Sequence, residues 1–144
     1  MSLGDVGKVC LFSSMSGAIK LDGKPVPNAL LKRTVKFNKP KTDETRTNEQ
    51  GHFEFPAIFE HTVTKFLPQE FVANQEITLY YQGEEYRMWT GVKRTPEENA
   101  ESRGEPLIVE CELSNQRQLK QVNNSPIISL CTWSAEADQV DTGF

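Results

Sequence analysis

The runs Gly17-Ala18-Ile19, Gly23-Lys24-Pro25-Val26-Pro27-Asn28-Ala29 and Thr47-Asn48-Glu49-Gln50-Gly51-His52-Phe53-Glu54-Phe55 decide the fold. Gly17, Ile19 and Leu21 set a strand that Asp22-Gly23 ends, a dipeptide suited to the positive-φ positions of a tight turn. Pro25 and Pro27 lack an N–H, which favours an extended edge or connection over a central strand. Val26 and Ala29 tuck that stiffened connection onto a core. Gly51 reverses the chain into His52-Phe53-Glu54-Phe55, where Phe53 and Phe55 face the same way, as on a core-directed strand.

Working outward, apolar and β-branched residues recur at period two in short runs broken by Gly, Pro, Asn and Asp. Residues 9–13 predict a strand before the motif. Residues 30–37 predict one after it, with Leu31, Arg33, Val35 and Phe37 on one side. Residues 38–44 are polar and predict a loop. Further strands are expected at 58–66, 70–73, 76–82 and 84–90, the last two joined at Gly83 as an antiparallel hairpin rich in Tyr and Trp. Thr95-Pro96-Glu97-Glu98-Asn99-Ala100-Glu101 predicts one short helix, with Thr95 as cap, Pro96 at the first helical position and the acids at the positive end. Residues 106–113 and 127–133 complete the strands. The expected organisation is a single all-β domain over residues 1–133 and a flexible tail over 134–144.

The motif residues 17–55 resemble the carboxypeptidase-regulatory-like and transthyretin-like family. That resemblance implies a transthyretin-like (prealbumin-like) antiparallel β-sandwich with one short helix. It says little about activity, because such modules serve as spacers, adhesin repeats, accessory domains and binding domains. The chain is also similar to small stand-alone bacterial proteins, most distinctively over Gly91-Val92-Lys93-Arg94-Thr95-Pro96-Glu97-Glu98-Asn99. Related domains accompany bacterial contractile secretion machines, so the resemblance implies an accessory, adaptor or immunity protein as one functional class. A hydroxyisourate hydrolase of this family would end in Tyr-Arg-Gly-Ser, whereas this chain ends Asp141-Thr142-Gly143-Phe144.

The net charge of -4 divides unevenly: residues 1–72 carry ten Lys/Arg against eight Asp/Glu, and residues 73–144 carry six against twelve. The acidic half argues against a nucleic-acid binder, although Lys32, Arg33, Lys36, Lys39 and Lys41 form one basic run. No segment approaches the roughly 20 apolar residues of a membrane span, and no signal-peptide pattern is recognised, so a cytoplasmic protein without a membrane role is expected. Cys10, Cys111 and Cys131 read as buried reduced thiols, with a Cys111–Cys131 bridge as the alternative if the protein is exported by a signal-independent route.

Catalytic patterns are weak. His52 and His61 fit no zinc-peptidase spacing, the serines stand in no nucleophile elbow, and the glycines are scattered singly at turns. Glu97, Glu98, Glu101 and Glu105 lack the alternation of a calcium loop. No cofactor, metal site or catalytic residue is expected. The leading expectation is a non-catalytic protein-binding module. The alternatives are a small hydrolase with a spatially assembled His/carboxylate site, and a structural spacer or assembly subunit. The candidate partner-binding residues are Tyr81, Tyr86, Arg87, Trp89, Lys93, Arg94, Glu97, Glu98 and Arg103, because aromatics mixed with Arg are enriched at binding hot spots.

Overall fold

A computed structural model describes residues 7–61 and 71–139. The strands are β1 (Lys8–Phe12), β2 (Met15–Leu21), β3 (Lys24–Pro25), β4 (Leu30–Lys36), β5 (Pro40–Arg46), β6 (His52–Phe55), β7 (Ile58–His61), β8 (Ala73–Tyr81), β9 (Glu84–Lys93), β10 (Leu107–Glu112), β11 (Gln118–Val122), β12 (Ser125–Ser129) and β13 (Cys131–Thr132). A six-stranded sheet runs β11-β12-β9-β8-β4-β5, and a five-stranded sheet runs β13-β10-β2-β3 with β6 on β2. β1 and β7 pair separately. One core lies between the two larger sheets. Met15, Ile19, Phe53, Phe55 and Val109 come from one sheet; Leu31, Val35, Ile77, Trp89 and Ile127 come from the other.

The motif holds because its parts hydrogen-bond to one another. Ile19 N–H donates to Gly51 O at 2.8 Å, and Val26 N–H donates to Ile19 O at 3.0 Å. Thr47 and Ala29 exchange bonds, Thr47 N–H to Ala29 O at 3.0 Å and Ala29 N–H to the Thr47 hydroxyl at 2.8 Å. Gly51 sits at φ +80, and a Cβ there would lie 2.5 Å from Ile19 O, so only glycine fits the reversal. Gly17 is required by approach: its Cβ would stand 2.1 Å from Val109 O on the neighbouring strand.

That neighbour marks a departure from an all-antiparallel sandwich, since β2 and β10 pair in parallel from Leu107↔Met15 to Glu112↔Lys20. Two-residue turns with both positions at positive φ close three hairpins, at Asp22-Gly23, Gln82-Gly83 and Asn123-Asn124.

Four expectations are corrected. The loop expected at 38–44 is strand from Pro40 onward: β5 pairs along all of β4, from Leu30↔Arg46 to Lys36↔Pro40. It is a charged edge strand, which carries no apolar alternation to read. The stretch at 127–133 is two strands in different sheets, β12 and β13, with Leu130 at the crossing. The expected helix at 95–101 shrinks to a single 3-10 turn, Ala100–Ser102. There, the Lys93 ammonium takes the carbonyls of Thr95 and Glu97 that a helix would need, and Asn99 turns left-handed at φ 63. The expected flexible tail is held as far as Asp138: Ala135 is buried, and Asp138 accepts the N–H groups of Asn123 and Asn124. Residues 62–66, 70 and 140–144, where strand and tail were also expected, lie outside the described residues.

Cys111 and Cys131 stand directly opposite each other on β10 and β13, with Cα atoms 4.0 Å apart, and are disulfide-bonded. The reading of all three cysteines as reduced thiols is therefore corrected; Cys10 alone is free, and it is buried. No helix among the described residues is long and apolar enough to cross a membrane.

Candidate functional site

The side chains with the most chemical potential lie in the interior. Glu101, 1% exposed, accepts Ser13 N–H at 3.0 Å, the Ser13 hydroxyl at 2.6 Å and Gln75 Nε2 at 3.0 Å. Gln75 also donates to Leu11 O and accepts Trp89 Nε1–H at 3.0 Å. Ser13 Oγ accepts Asn99 N–H at 2.7 Å, and the Cys10 sulfur lies 3.6 Å from it. Burial pushes the Cys10 thiol up, against the pull of Lys93. It pushes the Lys93 ammonium down, and Glu101 opposes that shift. A serine beside a glutamate superficially suggests a nucleophile and base, but Ser13 is fully buried and its hydroxyl already donates and accepts. The network pins β1, β8, β9 and the loop after β9 into one unit, as connected buried polar groups do.

A second polar centre also lies inside. Arg33 is fully buried, donates to both oxygens of Asp43 at 2.9 and 2.6 Å and to Pro56 O at 2.6 Å, and stacks 4.4 Å from the Phe55 ring. It therefore drops out of the basic run.

The nine candidate binding residues do not form one surface. Trp89 is 0% exposed and packs against Phe12 and Trp133 at ring separations of 6.1 and 5.0 Å, so it is corrected from a contact residue to a core residue. Lys93 is corrected likewise, because its stem and head are enclosed. Tyr81 and Tyr86 are half-buried against the core. Arg103 is drawn onto the C-terminal segment through Glu136 O, Asn123 Oδ1 and Asp138 Oδ1. Arg87, Arg94, Glu97 and Glu98 remain exposed.

What the sequence reading missed lies on the open sheet faces. Leu119 is 64% exposed and stands directly opposite Ile128, itself exposed, on the outer face of the six-stranded sheet. Ile128 neighbours Thr90 on β9, and the Thr90 hydroxyl accepts Arg117 Nη2 at 2.9 Å. Tyr80 and Arg87 are exposed on the same face, each flanked by a buried neighbour that turns inward. Strand β11 ends the sheet, and Gln121 O on it accepts Asp138 N–H at 2.6 Å. The Asn123-Asn124 pair was the available signal for this hairpin.

His52 and His61 stand exposed, and among the described residues neither hydrogen-bonds to a carboxylate, serine or cysteine. Among the described residues no group of three or more His, Cys, Asp or Glu side chains could hold a metal ion.

Fold and site together describe a β-sandwich with its polar chemistry enclosed and its sheet faces open. Over residues 15–116 the chain matches a family described as a domain of unknown function, DUF6795, and it belongs to that family. No curated protein and no solved structure matches it.

Proposed function

We propose that the chain is a non-catalytic protein-binding module on a transthyretin-like sandwich, and that it presents the outer face of its six-stranded sheet to a protein partner. The carrying observation is the Leu119–Ile128 pair, exposed together on the end strand β11 and its neighbour β12. Adjacent apolar side chains on an open face mark interaction sites, and Tyr80 and Arg87 on the same face are residue types that anchor interfaces. The enclosure of Ser13, Cys10, Lys93 and Glu101 supports a binding rather than a catalytic role. The turns and hydrogen bonds of residues 17–55 support the transthyretin-like assignment. An accessory, adaptor or immunity role beside a bacterial secretion machine rests on that resemblance. The Cys111–Cys131 bridge supports a working location where thiols are oxidised, in place of the reducing cytoplasm suggested by the sequence.

A photo-crosslinking residue placed at Leu119 should trap a protein that the same residue placed at Glu49, on the turn before β6, does not. Identical products from the two positions would refute the assignment of this face.

A further inference from the structure

The outer face of the five-stranded sheet is a separate surface, and it is not flat. Strand β2 carries small outward side chains, Ser16 and Ala18, between two taller neighbours. At one level Ser16 is flanked by Glu54 on β6 and Ile108 on β10; at the next, Ala18 is flanked by His52 and Glu110. The difference in side-chain height leaves a groove of about 280 Å³ floored by Ser16 and Ala18 and walled by His52, Ile108 and Glu110. A smaller hollow of about 80 Å³ continues it past Ser16 and Glu54 toward Pro106, so the groove runs along β2.

Its walls combine an apolar contact with opposed carboxylates. Ile108 is 59% exposed on one wall. Glu54 and Glu110 stand on opposite walls one level apart, both exposed, and neither forms an ion pair among the described residues. An arginine or lysine side chain meets each requirement, with its aliphatic stem against Ile108 and Ala18 and its charged head between the two carboxylates.

We propose that this groove binds an extended basic segment of a partner protein, one Arg or Lys side chain lying along β2 between Glu54 and Glu110. The inference rests on the binding-module reading but uses the opposite face of the sandwich, so each can fail alone. Charge complementarity selects the occupant: the carboxylates are uncompensated, and the half of the chain carrying Glu110 has twice as many acidic as basic side chains.

The test is fluorescence anisotropy with three labelled six-residue peptides in which valine alternates with arginine, glutamine or glutamate. The arginine peptide should bind saturably, weaken with salt, and lose roughly tenfold in affinity for Glu54→Gln with Glu110→Gln. The other two peptides should not bind. Both substitutions are exposed and conservative, and thermal unfolding should confirm an unchanged fold. Leu119→Asp with Ile128→Asp should bind the arginine peptide as the wild type does, which separates this site from the other face. The proposal is overturned if the arginine peptide shows no saturable binding below about 1 mM, or binds the Glu54/Glu110 variant equally well. It is also overturned if N-acetyl-arginine amide binds as tightly as the peptide, since the occupant would then be a small organic cation.

Discussion

Ser13 and Glu101, 88 residues apart in sequence, are joined twice in the interior: the Ser13 hydroxyl donates to one carboxylate oxygen at 2.6 Å and its N–H to the other at 3.0 Å. Glu101→Ala would strand the two Ser13 donors, while Gln75 Nε2 would keep Leu11 O. Each buried unsatisfied group costs about 1–3 kcal/mol, so the variant should lose about 2 kcal/mol or more in urea unfolding. A loss below about 1 kcal/mol would show that the loop after β9 is not held by this network.

Trp89→Ala tests the relocation of Trp89 from surface to core. Removing a fully buried indole that also donates to Gln75 should destabilise the fold by about 3–5 kcal/mol. A folded variant with an unchanged denaturation midpoint would return Trp89 to the surface.

The bridge between Cys111 and Cys131 closes a 20-residue span that contains the whole β11–β12 hairpin. In the loop-entropy description a closure of that length stabilises by about 3 kcal/mol. Cys111→Ser with Cys131→Ser should lower the urea midpoint accordingly. Maleimide labelling of the unfolded, unreduced wild type should modify only Cys10, and labelling at all three cysteines would contradict the bridge.

How much of this was legible depended on where each residue's partners lie. The turn at Asp22-Gly23, the reversal at Gly51 and the Phe53/Phe55 face were readable because tight turns and strand alternation are local physics. Arg33 was placed on the same side of β4 as Leu31 and Val35 but counted in the basic run, and its burial depends on Asp43 across β5, a strand without apolar pattern. The stretch 95–101 read as a helix because each local signal agreed. What overrides them is long-range: Lys93 removes two of its carbonyls, and Ser13 draws Glu101 inward. Trp89 was assigned to the surface for a related reason. Trp89 and Leu119 are both large apolar strand residues, and only the order of strands in the sheets decides which one is covered.

Glu112 ties β10 to two turns. Its carboxylate accepts the N–H and hydroxyl of Ser114 first, and the N–H groups of Gly23 and Asp22 as well, which lowers its pKa from 4.5 to about 2. The folded value lies below the unfolded one, so the contribution to stability is complete above about pH 4.5 and is lost as the pH falls toward 2. Glu112→Gln should flatten the acid side of the stability profile in that window and leave the slope near neutrality unchanged. Equal acid slopes for the two proteins would remove Glu112 from the acid response.

The most direct test of the binding-module reading is quantitative affinity capture from native lysate, comparing the wild type with Leu119→Asp plus Ile128→Asp, both substitutions at exposed positions. The prediction is a protein enriched by the wild type and lost from the double variant, while circular dichroism shows the same fold for both. Recovery of every captured protein in equal amount by the two forms would contradict the assignment of the six-stranded sheet's outer face as the docking surface.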